Sequence, residues 1–288
     1  MEKADNNAPK EVQLTPGRSK IIAVTSGKGG VGKTNVSVNL ALAMGAKGQR
    51  VLLFDADMGL ANVDVMLGLM PTYNLLHVLN GQKELHEILT DGPEGIKIIA
   101  AGSGGVQELA DLSETQRARF LDALVRMRND VDVILIDTGA GLQRNVLAFA
   151  LSADEVVVVT TPEPTALMDA YGMIKILNRE RKNPLVRVVV NMAGSQNEAD
   201  EAGKKLVVLS KRFLNLDVDY RGFIPRDMGM VRAVKEQRPI LLSSPMNPAA
   251  LQLSRLADGL LTSGPVEGDG SLLNFFKKVT RIFGAKEA

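Results

Sequence analysis

The chain contains no cysteine and no tryptophan, and only two of its 288 residues are histidine. Without a thiol there is no disulfide, no thiol nucleophile and no cysteine-held zinc or iron–sulfur cluster. The histidines, His77 and His86, lie in a polar helical stretch and read as surface residues rather than ligands. Charge of one sign is lacking too. Against 34 basic residues stand 33 acidic ones, so no global field draws the chain to nucleic acid, and no specific nucleic-acid binding is expected. No segment approaches the run of about eighteen apolar residues that a spanning helix needs, and the N-terminus shows no signal-peptide-like stretch. A cytoplasmic origin is expected. Apolar content of 45% suffices for a full core in one domain with an appendage.

Residues 27–34 read Gly-Lys-Gly-Gly-Val-Gly-Lys-Thr, between a strand-like run at Ile21–Thr25 and a helical pattern from Thr34 to Met44. This is the G-x-x-x-x-G-K-[ST] loop in the strand–loop–helix setting that gives it meaning. Its glycines permit positive φ, so the backbone N–H groups of Gly29, Gly30, Val31 and Gly32 can converge on phosphate oxygens. Lys33 would reach the β- and γ-phosphates, the Thr34 hydroxyl would hold Mg²⁺, and Asn35 belongs to the same cradle. A glycine-rich turn without ligand is the bland alternative; all positions filled behind an apolar strand favour a nucleoside triphosphate.

The loop carries a second lysine. Lys28 would point across the mouth of the site, either as a solvated surface charge or as a cation that neutralises phosphate in a facing subunit, as an arginine finger does. Here the sequence resembles the deviant Walker A ATPases, the family of MinD, ParA and the flagellar regulators of the FlhG (FleN) kind. Their K-G-G-x-G-K-[ST] signature stands as Lys28–Thr34. The resemblance implies ATP/ADP and Mg²⁺ as cofactors, and an ATP-sandwiched homodimer in which Lys28 acts in trans. Members of this superfamily that hold a cluster between paired cysteines are excluded.

Residues 1–19 are polar, with Pro9 and Pro16-Gly17, and read as a flexible leader. From 20 to 262, apolar strand candidates alternate with helical patterns. The strands are Ile21–Thr25, Val51–Phe54, Ile96–Ala100, Val133–Ile136, Val156–Thr160, Val186–Val190 and Tyr220–Ile224. Helices are expected near 34–46, 114–128, 164–179, 198–214, 227–236 and 247–262. Continuous Val/Ile runs between helices predict an α/β, doubly wound, mostly parallel sheet with ligands at its carboxyl ends. No internal repeat is visible.

Acids follow two of these strands. Asp55 and Asp57 come just after Phe54, and Asp137 closes the apolar run Val133–Ile136 as in a Walker B element. Phosphoryl transfer needs in-line positioning and charge neutralisation, which such carboxylates can serve. The resemblance gives Asp57 the water-positioning role, Asp137 and Asp55 the metal shell (Asp55 or else support of the loop), and Lys28, Asn62 and Glu163 the dimer face. It places Asn191 at the adenine edge and Pro225 in a second base-contacting loop. Bland readings stand beside some of these: Asp64 as a helix cap, and Pro162–Thr165 as a rigid helix entry with Thr165 capping.

After a tether-like segment at 263–270 comes Ser271–Gly284. Leu272, Phe275, Phe276, Val279, Ile282 and Phe283 share one helical face, flanked by Lys277, Lys278 and Arg281. Either the helix lies reversibly on an anionic membrane surface, or it docks on its own core; aromatic bulk and flanking cations favour the membrane. Within the family, Gly59–Gly68, Asp137–Gly141, Pro162–Tyr171 and Asn191–Ala193 look most like the flagellar number regulators. That likeness implies an FlhF-type GTPase, flagellar switch proteins or a transcriptional regulator as partners. A MinD-type division-site regulator is the alternative, followed by a ParA-type segregation ATPase or a P-loop small-molecule kinase.

Overall fold

The computed structural model describes residues 19–57, 62–100, 113, 116, 123, 130–262 and 272–284. Its eight strands are β1 (Lys20–Ser26), β2 (Val51–Ala56), β3 (Thr90–Asp91), β4 (Lys97–Ala100), β5 (Val133–Ala140), β6 (Glu155–Thr160), β7 (Val186–Ala193) and β8 (Asp219–Pro225). The helices are α1 (Lys33–Gly45), α2 (Val63–Leu67), α3 (Leu75–Leu79), α4 (Arg144–Ser152), α5 (Pro164–Glu180), α6 (Gln196–Leu214), α7 (Met228–Lys235), α8 (Ile240–Ser243), α9 (Pro248–Thr262) and α10 (Leu272–Gly284). Strand order is β3-β4-β2-β5-β1-β6-β7-β8, parallel throughout except for β3 against β4.

Alternation along each strand decides which helices it meets. Ile22 and Val24 of β1, Leu135 of β5 and Val157 of β6 share a core with α1, α2, α7, α8 and α9. Their neighbours Ile21 and Ala23, with Ile134 and Ile136, point the other way, onto α3, α4 and α10. Val156 and Val158 of β6 join β7, α5 and α6 on that side. Both faces are covered, which is why the strands read as unbroken apolar runs.

All seven predicted strands form; β3, two residues long, is too short to show a period. Five of the predicted helices form. The one near 114–128 lies largely outside the described residues, as do the leader and the 263–270 segment. Helices α2, α3, α4 and α8, none longer than nine residues, were not predicted, because so few turns leave little periodic signal.

The C-terminal helix takes the docked alternative in this structure. Phe275, Phe276 and Val279 are buried in the second core cluster, so the apolar face favoured for a membrane is seated on the domain. Phe276 meets Phe54 of β2 edge-on at 5.9 Å, and Phe275 stacks on Phe149 of α4 at 6.2 Å. The Arg144 guanidinium at the start of α4 donates to the Ile282 carbonyl at 2.7 and 3.1 Å. Lys277, Lys278 and Arg281 remain exposed. The reason is physical: an aromatic face this wide gains as much from an apolar groove in its own domain as from lipid. The side chains of Leu272 and Phe283 lie outside the described residues.

Candidate nucleotide site

The site is built at the carboxyl ends of β1, β2, β5, β6, β7 and β8. The loop after β1 turns through Gly30 and Gly32, whose φ of 80° and 83° a side chain would strain. Gly32 is also pressed against β7: a Cβ there would lie 2.4 Å from the Asn191 amide nitrogen. That amide donates to the Val31 carbonyl at 2.8 Å. Asn191, expected at the adenine edge, thus also braces the loop from beneath.

Lys33 opens α1 and forms a 2.9 Å ion pair with Asp137 Oδ1, both groups buried. Ser37 Oγ, one helical turn on, lies 2.7 Å from the same oxygen. Asp137 Oδ2 is buried with no hydrogen-bond partner among the described residues. An orphaned carboxylate oxygen beside the loop lysine is a position for a cation or its water, since a buried acceptor left unmatched costs about 1–3 kcal/mol. Thr34 follows Lys33 on the first turn, half-buried. Asn35 is drawn elsewhere: Asn39 Nδ2 donates to its Oδ1 at 2.8 Å.

Asp55 accepts from backbone with both carboxylate oxygens. One oxygen accepts from the Asp57 N–H at 3.1 Å, the other from Asn62 and Val63 at 3.1 and 3.2 Å. These contacts support the loop-holding alternative for Asp55. Burial, and next the charge of Asp137, pushes Asp55 up to about 7, although the three N–H donors pull the other way. A raised acid favours the fold while protonated. Its contribution is full below about pH 4 and is lost as pH rises through about 7. Thermal melts from about pH 5 to about pH 8 without nucleotide should show a falling midpoint, and Asp55→Asn should flatten that slope.

Asp57 stands beside the end of β5: a Cβ on Gly139 would come 3.6 Å from its Oδ1. Just past β5 the chain turns at Gly141, φ 90°, whose N–H donates to the Ser26 carbonyl at 2.9 Å. The end of β1 and the turn after β5 are therefore hydrogen-bonded directly. Asn62 takes the N-cap position of α2 without a side-chain cap, and Asp64 sits in the first turn.

Lys28 is tied within its own subunit. Its Nζ lies 3.2 Å from Glu163 Oε2 and 3.0 Å from Thr165 Oγ1, at the start of α5. Glu163 holds the N-cap position with no side-chain cap, and helix begins at Pro164. Thr165 therefore receives the lysine instead of capping, because the proline start places it inside the first turn. Pro225 ends β8, and the following Arg226 N–H returns to the Ala193 carbonyl at 2.8 Å, which joins the β7 and β8 loops.

Over residues 17–261 the chain matches the family described as ParA, NUBPL iron-transfer P-loop NTPase. It is a ParA-family P-loop NTPase. The iron-transfer part of that description has no footing in a chain without cysteine. Antiactivator FleN of Pseudomonas aeruginosa is 44% identical over 238 residues, 83% of this chain and 85% of that one. Flagellum site-determining protein YlxH of Helicobacter pylori is 36% identical, covering 96% of this chain and 95% of its own. The septum site-determining protein MinD of Pyrococcus horikoshii, solved with Mg-ADP, superposes with a TM-score of 0.67 at 26% identity, over 84% of this chain and 96% of that one.

The residues of this NTPase fit a magnesium nucleotide. The N–H-lined loop and Lys33 suit phosphate, while the Asp137 oxygen and the Thr34 hydroxyl suit the metal. Bound there, the metal would neutralise charge between phosphate oxygens. Motif reading passed over Ser37 and Asn39, although a signal existed: both are polar residues in the otherwise apolar run Val36–Met44, and both are fully buried.

Proposed function

We propose that this NTPase is an ATP-driven switch: it hydrolyses ATP weakly and with partner stimulation, dimerises around the nucleotide, associates reversibly with an anionic membrane surface, and sets the number and placement of flagella. The observation that carries the switch is the place of Lys28. Lys33 is buried on Asp137 beneath the loop, while Lys28 lies at the rim, held by Glu163 and Thr165. A cation tethered at the mouth of the site serves a facing subunit better than its own. The nearness of Asp57 to Gly139 supports a water-orienting role for it, with Asp137–Gly141 as the switch that relays loss of the γ-phosphate to α4.

The flagellar role rests on likeness to FleN and YlxH. A relative named an antiactivator points to a transcriptional regulator among the partners; flagellar switch proteins and an FlhF-type GTPase are the partners the family resemblance implies. No helix among the described residues is long and apolar enough to cross a membrane, so the membrane contact proposed is peripheral, through α10. A septum-placement role is the second reading, favoured by the structural likeness to MinD. Removing the gene and counting flagella and minicells separates the two. Abnormal flagellar number with normal division is expected; minicells on normally flagellated cells would defeat the flagellar reading.

A further inference from the structure

Helix α1 carries a residue that the nucleotide motif does not assign. Ser37 lies four residues beyond Lys33, in a stretch whose neighbours Val36, Val38 and Leu40 are all fully buried. It too is fully buried. Serine inside a helix ordinarily donates to the carbonyl one turn back, and the Lys33 carbonyl is 3.1 Å away. Its hydroxyl has one proton, however, and a nearer acceptor that carries charge: Asp137 Oδ1 at 2.7 Å.

Asp137 Oδ1 then has two described donors, Lys33 Nζ and Ser37 Oγ, and Oδ2 has none. Lys33 is the partner that must move for the loop to hold phosphate, because one ammonium group cannot stay on the carboxylate and reach the β- and γ-oxygens. Once it has moved, rotation about the carboxylate bond would be restrained, among the described contacts, only by Ser37. We propose that Ser37 is a positioning residue: its hydroxyl pins Oδ1 so that Oδ2 stays turned toward the metal when Lys33 leaves. It need not touch nucleotide or metal itself. The inference rests on the magnesium-nucleotide reading of the site and names the group that prepares the site for the metal.

The test is a Mg²⁺ titration of binding of a fluorescent ADP analogue to the full chain, beside the same binding in EDTA. Losing a hydrogen bond to a charged acceptor should raise the half-saturating Mg²⁺ of Ser37→Ala about tenfold or more, with affinity in EDTA unchanged. Ser37→Thr, which keeps the hydroxyl, should restore the wild-type value. If Ser37→Ala does not fold, Ser37→Cys, with a much weaker donor, is expected to show the same rise. An unchanged Mg²⁺ requirement in a folded variant without the hydroxyl overturns the inference, as does an equal loss in EDTA, which would mark a packing role. A wild-type protein that bound no analogue, with Mg²⁺ or without, would defeat the underlying reading of the site as well.

Discussion

Lys28→Gln is expected to lower ATP turnover by ~10³-fold or more and to leave the protein monomeric in ATP, as read by a phosphate-release assay and light scattering. Glutamine keeps most of the length and removes the charge, so the loss would report electrostatics rather than packing. The intrasubunit contacts to Glu163 and Thr165 raise an objection: a lysine already paired has no need of a neighbour's phosphates. Magnitudes answer it. The Lys28 and Glu163 side chains are 38% and 67% exposed. Exposed pairs are worth roughly 0–1 kcal/mol, whereas a cation supplied in trans contributes a rate factor of ~10³–10⁵, several kcal/mol in the transition state. The pair parks the lysine without trapping it. Glu163→Gln should therefore leave the dimer able to form, and Lys28→Gln should not. Turnover by Lys28→Gln at the wild-type rate would sink the switch.

The strands were legible because burial on both faces writes itself as Val/Ile runs, and the phosphate loop because only glycines and one lysine at fixed spacing make that turn. Role assignments within the site were harder to read. Asp55 and Asp137 are both acids at the ends of apolar strands, and nothing in their spacing says that one holds backbone while the other offers a free oxygen. That difference comes from where the N–H groups of Asp57, Asn62 and Val63 lie against Asp55, a tertiary fact. Ser37 is visible in hindsight as a polar residue in an apolar stripe, but its partner lies 100 residues away on β5. Helix α10 shows the opposite limit. Its pattern announced an amphipathic helix correctly, yet pattern alone does not distinguish a groove made by Phe54 and Phe149 from the surface of a bilayer.

That ambiguity sets the second large effect. With anionic vesicles, co-sedimentation is expected to rise by ~10²-fold or more in ATP over ADP, and to vanish on deletion of residues 271–288. Leaving the domain means exposing Phe275, Phe276 and Val279, each worth about 1.5–3 kcal/mol where it is buried. Lipid returns much of that term, so the balance is decided by smaller contributions. Lys277, Lys278 and Arg281 contribute about 1 kcal/mol each near an anionic leaflet, which is not enough to make one anchor more than reversible. Two anchors in one dimer make the second insertion intramolecular, a gain of ~10²–10⁴ in avidity, and the protein would then bind. The groove supplies the link to nucleotide: Phe54 precedes Asp55, and Arg144 and Phe149 belong to the helix that follows the Asp137–Gly141 switch. Reversing the three exposed cations to glutamate separates the terms, since they do not hold the docked helix. Vesicle binding should fall while thermal stability without lipid is unchanged. Equal pelleting in ATP, in ADP and after the deletion would mean that α10 is a permanent part of the core, and that any membrane contact of the dimer lies elsewhere.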